Sequence, residues 1–94
     1  MTSQIDIIVG ANIRKTRKKA GVTQAGLARH LSITSQQVQK YETGVNRVSA
    51  GRLLEIANVF GYSTVLPLYD GVNNVQLCDA VVMDLAKHMI RWRT

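Results

Sequence analysis

Residues 23–46, TQAGLARHLSITSQQVQKYETGVN, hold two short apolar stripes separated by three residues, and that spacing decides the fold. In the first stripe Leu27, Ala28 and Leu31 fall at i, i+1 and i+4, one face of a helix, with Gln24, Arg29 and His30 turned elsewhere. In the second, Ile33, Val38 and Tyr41 are the apolar members, and Ser35, Gln36, Gln37, Gln39 and Lys40 make a polar, nearly uncharged face. Thr23 and Thr34 stand just ahead of the two stripes, where a hydroxyl can accept from a backbone N–H two or three residues on. Gly44 follows the second piece and can take the left-handed backbone that closes a helix. Only Ser32, Ile33 and Thr34 remain for the connection, so two helices must cross at close range. Ala28 is about as large a side chain as such a crossing admits.

The polar face of the second helix carries chemical information. A helix surface built for solubility is laced with Glu and Lys, whereas amides and hydroxyls both donate and accept, as base edges require. Working outward, a first helix is predicted from about Gln4 to Ala20, with Ile5, Ile8, Val9, Ile13, Thr16 and Ala20 inward and Gly21 ending it. A fourth starts after Ser49 and carries Leu53, Leu54, Ile56, Ala57 and Phe60 before Gly61. Four helices around one shared core make the fold class all-α.

Charge is divided unevenly along the chain, whose formal net charge is +6. Residues 1–60 set Arg14, Lys15, Arg17, Lys18, Lys19, Arg29, Lys40, Arg47 and Arg52 against Asp6, Glu42 and Glu55. In residues 61–94 three basic residues balance three acidic ones. All of the excess therefore sits on the four-helix part, and a polyanion is its natural partner. The 46 % apolar content suffices for a small core. No apolar run approaches the ~20 residues of a spanning helix and no secretory signal is visible, so a soluble, cytoplasmic protein is expected. Cys78 is a lone cysteine, which excludes an internal disulfide and a multi-cysteine zinc site.

Catalysis has no support in the pattern. His30 and His88 lie in different segments, and Asp79, Asp84 and His88 do not share one helical face. Nor is there a glycine-rich phosphate cradle, so neither an enzyme, a cofactor nor a metal is expected. RNA binding is disfavoured by the scarcity of aromatic residues for base stacking.

After Gly61, Thr64-Val65-Leu66-Pro67-Leu68-Tyr69 reads as extended chain confined by its Pro to an edge, followed by turn formers Asp70-Gly71 and Asn73-Asn74. It can be a simple linker packed on the fourth helix. Further on, Val75, Cys78, Val82, Leu85, Met89 and Trp92 recur at helical spacing and form the narrow seam of an amphipathic helix. That seam can fold back on the core or pack against its own copy; the second is favoured, because the core is complete without it and the stripe needs cover.

The run resembles the phage repressor and Cro class of helix-turn-helix transcriptional regulators, the XRE-like family. The resemblance rests on residues 9–14, Arg17, Gly21 and Thr23-Gln24, then on Val38, Lys40-Tyr41-Glu42, Gly44 and Asn46. It continues through Ile56-Ala57 and Phe60-Gly61, and so covers roughly residues 5–64. One departure is Ser32, at a turn position usually held by Gly. The resemblance implies a lambda-repressor-like fold of four to five helices that binds double-stranded DNA. After Gly61 the chain departs from the family, and its C-terminal extended segment and amphipathic helix are read from its own residues. Residues 1–64 would be the DNA-binding domain, and 65–94 the extended segment and dimerisation helix of a homodimeric repressor.

By the same resemblance Thr34, Ser35, Gln36 and Lys40 face the major groove, with Gln37 and Gln39 as neighbouring candidates. Gln24 opens the second helix over the sugar-phosphate backbone, and Asn46 and Arg47 grip it beyond the third. Lys15, Lys18 and Lys19 are either a solvated face or auxiliary phosphate contacts, with Lys15 and Lys19 taken as contacts. Arg17 and Glu42 match a structural ion pair between helices one and three. Some antitoxin regulators of this family pair a short strand with a partner subunit, so an antitoxin that also binds a toxin protein is the alternative. A membrane or a small-molecule effector is not expected.

Overall fold

The computed structural model describes residues 3–72, which form four α-helices and a short 3-10 helix: α1 (Gln4–Lys19), α2 (Gln24–Leu31), α3 (Ser35–Glu42), α4 (Ala50–Val59) and η1 (Leu66–Tyr69). The stripe from Val75 to Trp92 lies outside the described residues. Each of the four α-helices starts on a hydroxyl. Ser3 accepts from the Asp6 N–H at 3.0 Å while the Asp6 carboxylate accepts from the Ser3 N–H, a reciprocal cap. Thr23, Thr34 and Ser49 accept from Gly26, Gln37 and Arg52 in turn.

The turn between α2 and α3 is made by Ser32, whose φ of 57° is the single left-handed non-glycine backbone among the described residues. The N–H of Ile33 reaches back to the Ala28 carbonyl at 3.0 Å, so the chain reverses within three residues. A left-handed Ser costs about 1 kcal/mol, and the tight turn holds because Ile33 packs against the core on one side of it.

α1 and α3 touch backbone to backbone. A Cβ on Gly10 would overlap the carbonyl oxygens of Tyr41 and Glu42, so only hydrogen fits there. Gly44 combines a positive φ of 79° with a Cβ position 2.9 Å from the Ile7 Cα, which excludes any other residue on both counts. These two glycines set how closely α3 lies along α1.

The core is Val9, Ile13, Leu27, Ala28, Leu31, Val38, Leu53, Ile56, Ala57 and Leu68, all buried. Ala20, expected on the inner stripe, is exposed as the C-cap of α1, and Leu54 is exposed on the flank of α4.

The segment expected as extended chain is not extended. Leu66–Tyr69 is a 3-10 turn in which Leu68 donates to the Val65 carbonyl at 2.9 Å. Pro67 sits in its first turn, where a fixed φ fits and no N–H is missed. The cause is tertiary: the turn drives Leu68 fully into the core while Leu66 and Pro67 stay outside. Asn12, midway along α1, fastens the turn by donating both amide hydrogens, to the carbonyls of Leu68 at 2.9 Å and Asp70 at 2.7 Å. The packed unit thus runs past the boundary expected at residue 64. Leu68→Ala is expected to cost ~2–4 kcal/mol in urea unfolding; a loss below about 1 kcal/mol would mean that the turn is not part of the core.

Candidate nucleic-acid interface

α3 presents its sides unequally. Val38 and Glu42 are buried and Tyr41 is half-buried against the core. At about 100° per residue, Gln36, Gln39 and Lys40 fall on the opposite side, and all three are exposed. Ser35 and Gln37 are half-buried on the two edges, and Thr34 is exposed with its hydroxyl committed to the Gln37 N–H at 3.1 Å. Of the nearly uncharged face read from sequence, Gln36, Gln39 and Lys40 are thus exposed while Ser35 and Gln37 border it, and Lys40 is its only cation. Thr43 continues that face seven residues after Gln36, a spacing that marks it, although the sequence reading did not include it. It is exposed, and its hydroxyl donates back to the Gln39 carbonyl at 3.0 Å.

What aims this face is a buried ion pair. Arg17 Nε donates to Glu42 Oε2 at 2.6 Å and Nη2 to Oε1 at 3.1 Å, with side-chain exposures of 9 % and 2 %. The remaining guanidinium nitrogen, Nη1, donates to the Val22 carbonyl at 2.9 Å. Gln24 joins the network by donating its amide to Glu42 Oε1 at 3.1 Å. A single carboxylate thereby locks together the end of α3, the last turn of α1 and the first residue of α2. Gln24 is half-buried, with its side chain turned to Glu42. Its N–H, like that of Ala25, has no acceptor within the helix.

Between these elements lies a solvent-open cleft of about 670 Å³. Thr23, Gln24 and Ala25 line it from α2 and its cap, Ser35, Gln39 and Thr43 from α3 and its cap, and Arg14 from α1. Lys15 and Lys19 are exposed on α1 and are not part of its lining. Asn46, half-buried, donates its N–H to the Lys40 carbonyl and so follows α3 directly. Arg47 is three-quarters exposed and meets Asp6 at 3.4 Å. The Ser3 hydrogen bond, with smaller help from Arg47 and against a raising effect of burial, holds the Asp6 carboxyl below its ordinary pKa. Arg52 anchors the far end of α2 by donating to the Leu31 carbonyl at 2.9 Å, a role its sequence position does not signal.

Among the described residues no group of His, Cys, Asp or Glu is placed to hold a metal ion, and no helix is long and apolar enough to cross a membrane.

Residues 13–66 match the family model described as helix-turn-helix. An uncharacterised HTH-type transcriptional regulator of Sinorhizobium fredii is 50 % identical over 54 residues, 57 % of this chain and 38 % of that protein. A second one from the same organism is 39 % identical over 72 residues, 77 % and 50 % of the two chains. The chain thus spans half or less of the length of these curated relatives. The crystal structure of the clp gene regulator ClgR from Corynebacterium glutamicum matches with a TM-score of 0.68 at 25 % identity, over 99 % of this chain and 97 % of that one.

The ion pair makes a prediction about stability. Arg17→Met strands a buried carboxylate and is expected to cost ~3 kcal/mol or more, while Arg17→Met combined with Glu42→Met costs markedly less than the two single losses added. Denaturant unfolding of the four chains measures this, and additive losses would show that the two side chains act independently.

Proposed function

The chain belongs to the XRE-type, Cro/C1-like family of helix-turn-helix regulators, and from that premise we propose that it is a sequence-specific repressor that binds double-stranded DNA as a homodimer in the cytoplasm. The observation that carries the reading is the exposed, nearly uncharged side of α3, with Gln36, Gln39 and Lys40 outward and the helix fixed by a buried pair behind it. A helix of this length fits the major groove, where a Gln amide can read adenine through two hydrogen bonds and a Lys can meet guanine or phosphate. Thr34, Ser35 and Gln37 lie at the margins of that face and would contribute secondary contacts. Gln24, Asn46 and Arg47 would hold the sugar-phosphate backbone, which sets register without reading sequence. Arg47 is bound only loosely to Asp6 at an exposed site, and redirecting it to a phosphate forfeits little.

Twofold pairing would put two recognition helices in successive major grooves about 10 bp apart on a pseudo-palindrome. The seam of Val75, Cys78, Val82, Leu85, Met89 and Trp92, read from sequence, is the element we assign to that pairing. Occupancy of the duplex excludes other proteins from it, hence repression. The reading needs no cofactor and no small-molecule effector. The antitoxin alternative rested on an extended segment at Pro67; that segment is a 3-10 turn packed on the core, so the toxin-binding reading is not proposed.

On duplexes selected from random-sequence DNA, Gln36→Ala is expected to lower discrimination at one base pair by ~1–3 kcal/mol, while Arg47→Ala weakens selected and random duplex alike. Wild-type affinity should fall by ~10³-fold between about 50 and 200 mM salt if six phosphates are engaged. Equal losses on both duplexes for Gln36→Ala would count against base reading by α3. Sedimentation at low micromolar concentration is expected to give two chains per particle, and a clean monomer removes the homodimer.

A further inference from the structure

We propose that Arg14, and neither Lys15 nor Lys19, is the α1 cation that seats a DNA phosphate against α2 and α3; this rests on the DNA-binding reading and adds a residue to it. The argument is one of charge and direction in the cleft between α1, the start of α2 and α3. Arg17 lines that cleft but its charge is spent: two of its nitrogens are on Glu42 and the third is on the Val22 carbonyl. Glu42 is neutralised in turn and also holds Gln24. The floor is therefore a neutral, fixed network. The rim supplies uncharged groups that can donate, the hydroxyl of Ser35 and the amides of Gln24 and Gln39 among them. Arg14 is exposed, lines the same cleft and makes no ion pair or hydrogen bond among the described residues. It is the free positive charge of a site otherwise built from donors, and a phosphodiester is the ligand that suits such a site.

Helix geometry separates the neighbouring cations. Arg14 follows Gly10 by one turn, about 40° away around the axis, and Gly10 is the point where α1 meets the carbonyls of α3. Lys19 lies about 20° from the direction of Asn12, which faces the carbonyls of Leu68 and Asp70 on the far side. Lys15 points about 160° away from the buried Ile13, straight into solvent. Lys18 shares the side of Arg14 but sits one turn beyond the cleft lining.

The test measures fluorescence anisotropy of the full chain on a duplex selected from random-sequence DNA and on an unselected duplex, over a salt series. Arg14→Gln is expected to bind both duplexes about 5–10-fold more weakly at low salt and to lower the salt slope by about 0.9, the share of one phosphate. Arg14→Lys should retain the slope, which a folding defect would not allow. Lys15→Gln and Lys19→Gln should stay within about twofold of wild type on both duplexes. A wild-type chain that binds no duplex overturns the DNA-binding reading itself. A wild type that binds, with Arg14→Gln unchanged or Lys19→Gln equally weakened, overturns the assignment of Arg14 alone.

Discussion

The carboxylate of Glu42, buried and bound by Arg17 and Gln24, is the constraint on which the arrangement of the first three helices depends. Burying two charges is expensive, and only a geometry that meets every donor and acceptor offsets the loss of water. Arg17 offers three nitrogens in a rigid fork, and each has an acceptor. Sliding α3 along α1 by even one residue would leave a charge stranded in the core. The pair therefore ties α3 to one position along α1. Gly10 and Gly44 act in the same direction through sterics, since they let α3 settle against the α1 backbone at a distance no side chain would permit.

From this anchoring follows the exposure of α3. Its C-terminal turn is held by Glu42, its N-terminus by the Thr34 cap and its entry by the left-handed Ser32, so the helix has little freedom to roll. An amide-rich surface is useful for reading an ordered ligand only when the backbone beneath it is fixed, because a Gln on a mobile helix loses its two-pronged geometry to disorder. The uncharged face and the buried pair behind it are thus parts of one device. Matches to relatives named as HTH-type transcriptional regulators place the chain in a family consistent with that physics.

The basic residues divide by what the fold does with them. Arg17 serves the interior, and Arg52 closes the end of α2 on the Leu31 carbonyl with Glu55 beside it. Arg47 leans on Asp6, while Arg14 and Lys40 remain exposed around the cleft and the α3 face. Net charge alone, +6 over the chain, counts all of these alike. Only some of that charge is available to a polyanion, and the hydrogen bonds decide which.

Local chemistry was readable from the chain. Thr23, Thr34 and Ser49 as caps, the glycines that end helices, and the i, i+4 stripes of α2 and α3 all act within one or two turns, so residue order alone specifies them. The outward row of Gln36, Gln39 and Lys40 was legible for the same reason, being the complement of Val38 and Tyr41. Residues joined across the fold were not. Asn12 holding a turn 56 residues away, Arg52 capping Leu31 and Arg14 lining the cleft depend on where distant backbone comes to rest. The segment around Pro67 shows the difference most plainly. Its β-branched neighbours favour extended chain locally, but full burial of Leu68 outweighs that preference and winds it into a 3-10 turn. Sequence determined which helices form and which faces they offer; tertiary packing decided which charges stay free, because hydrogen-bond acceptors and apolar cover come from elsewhere in the chain.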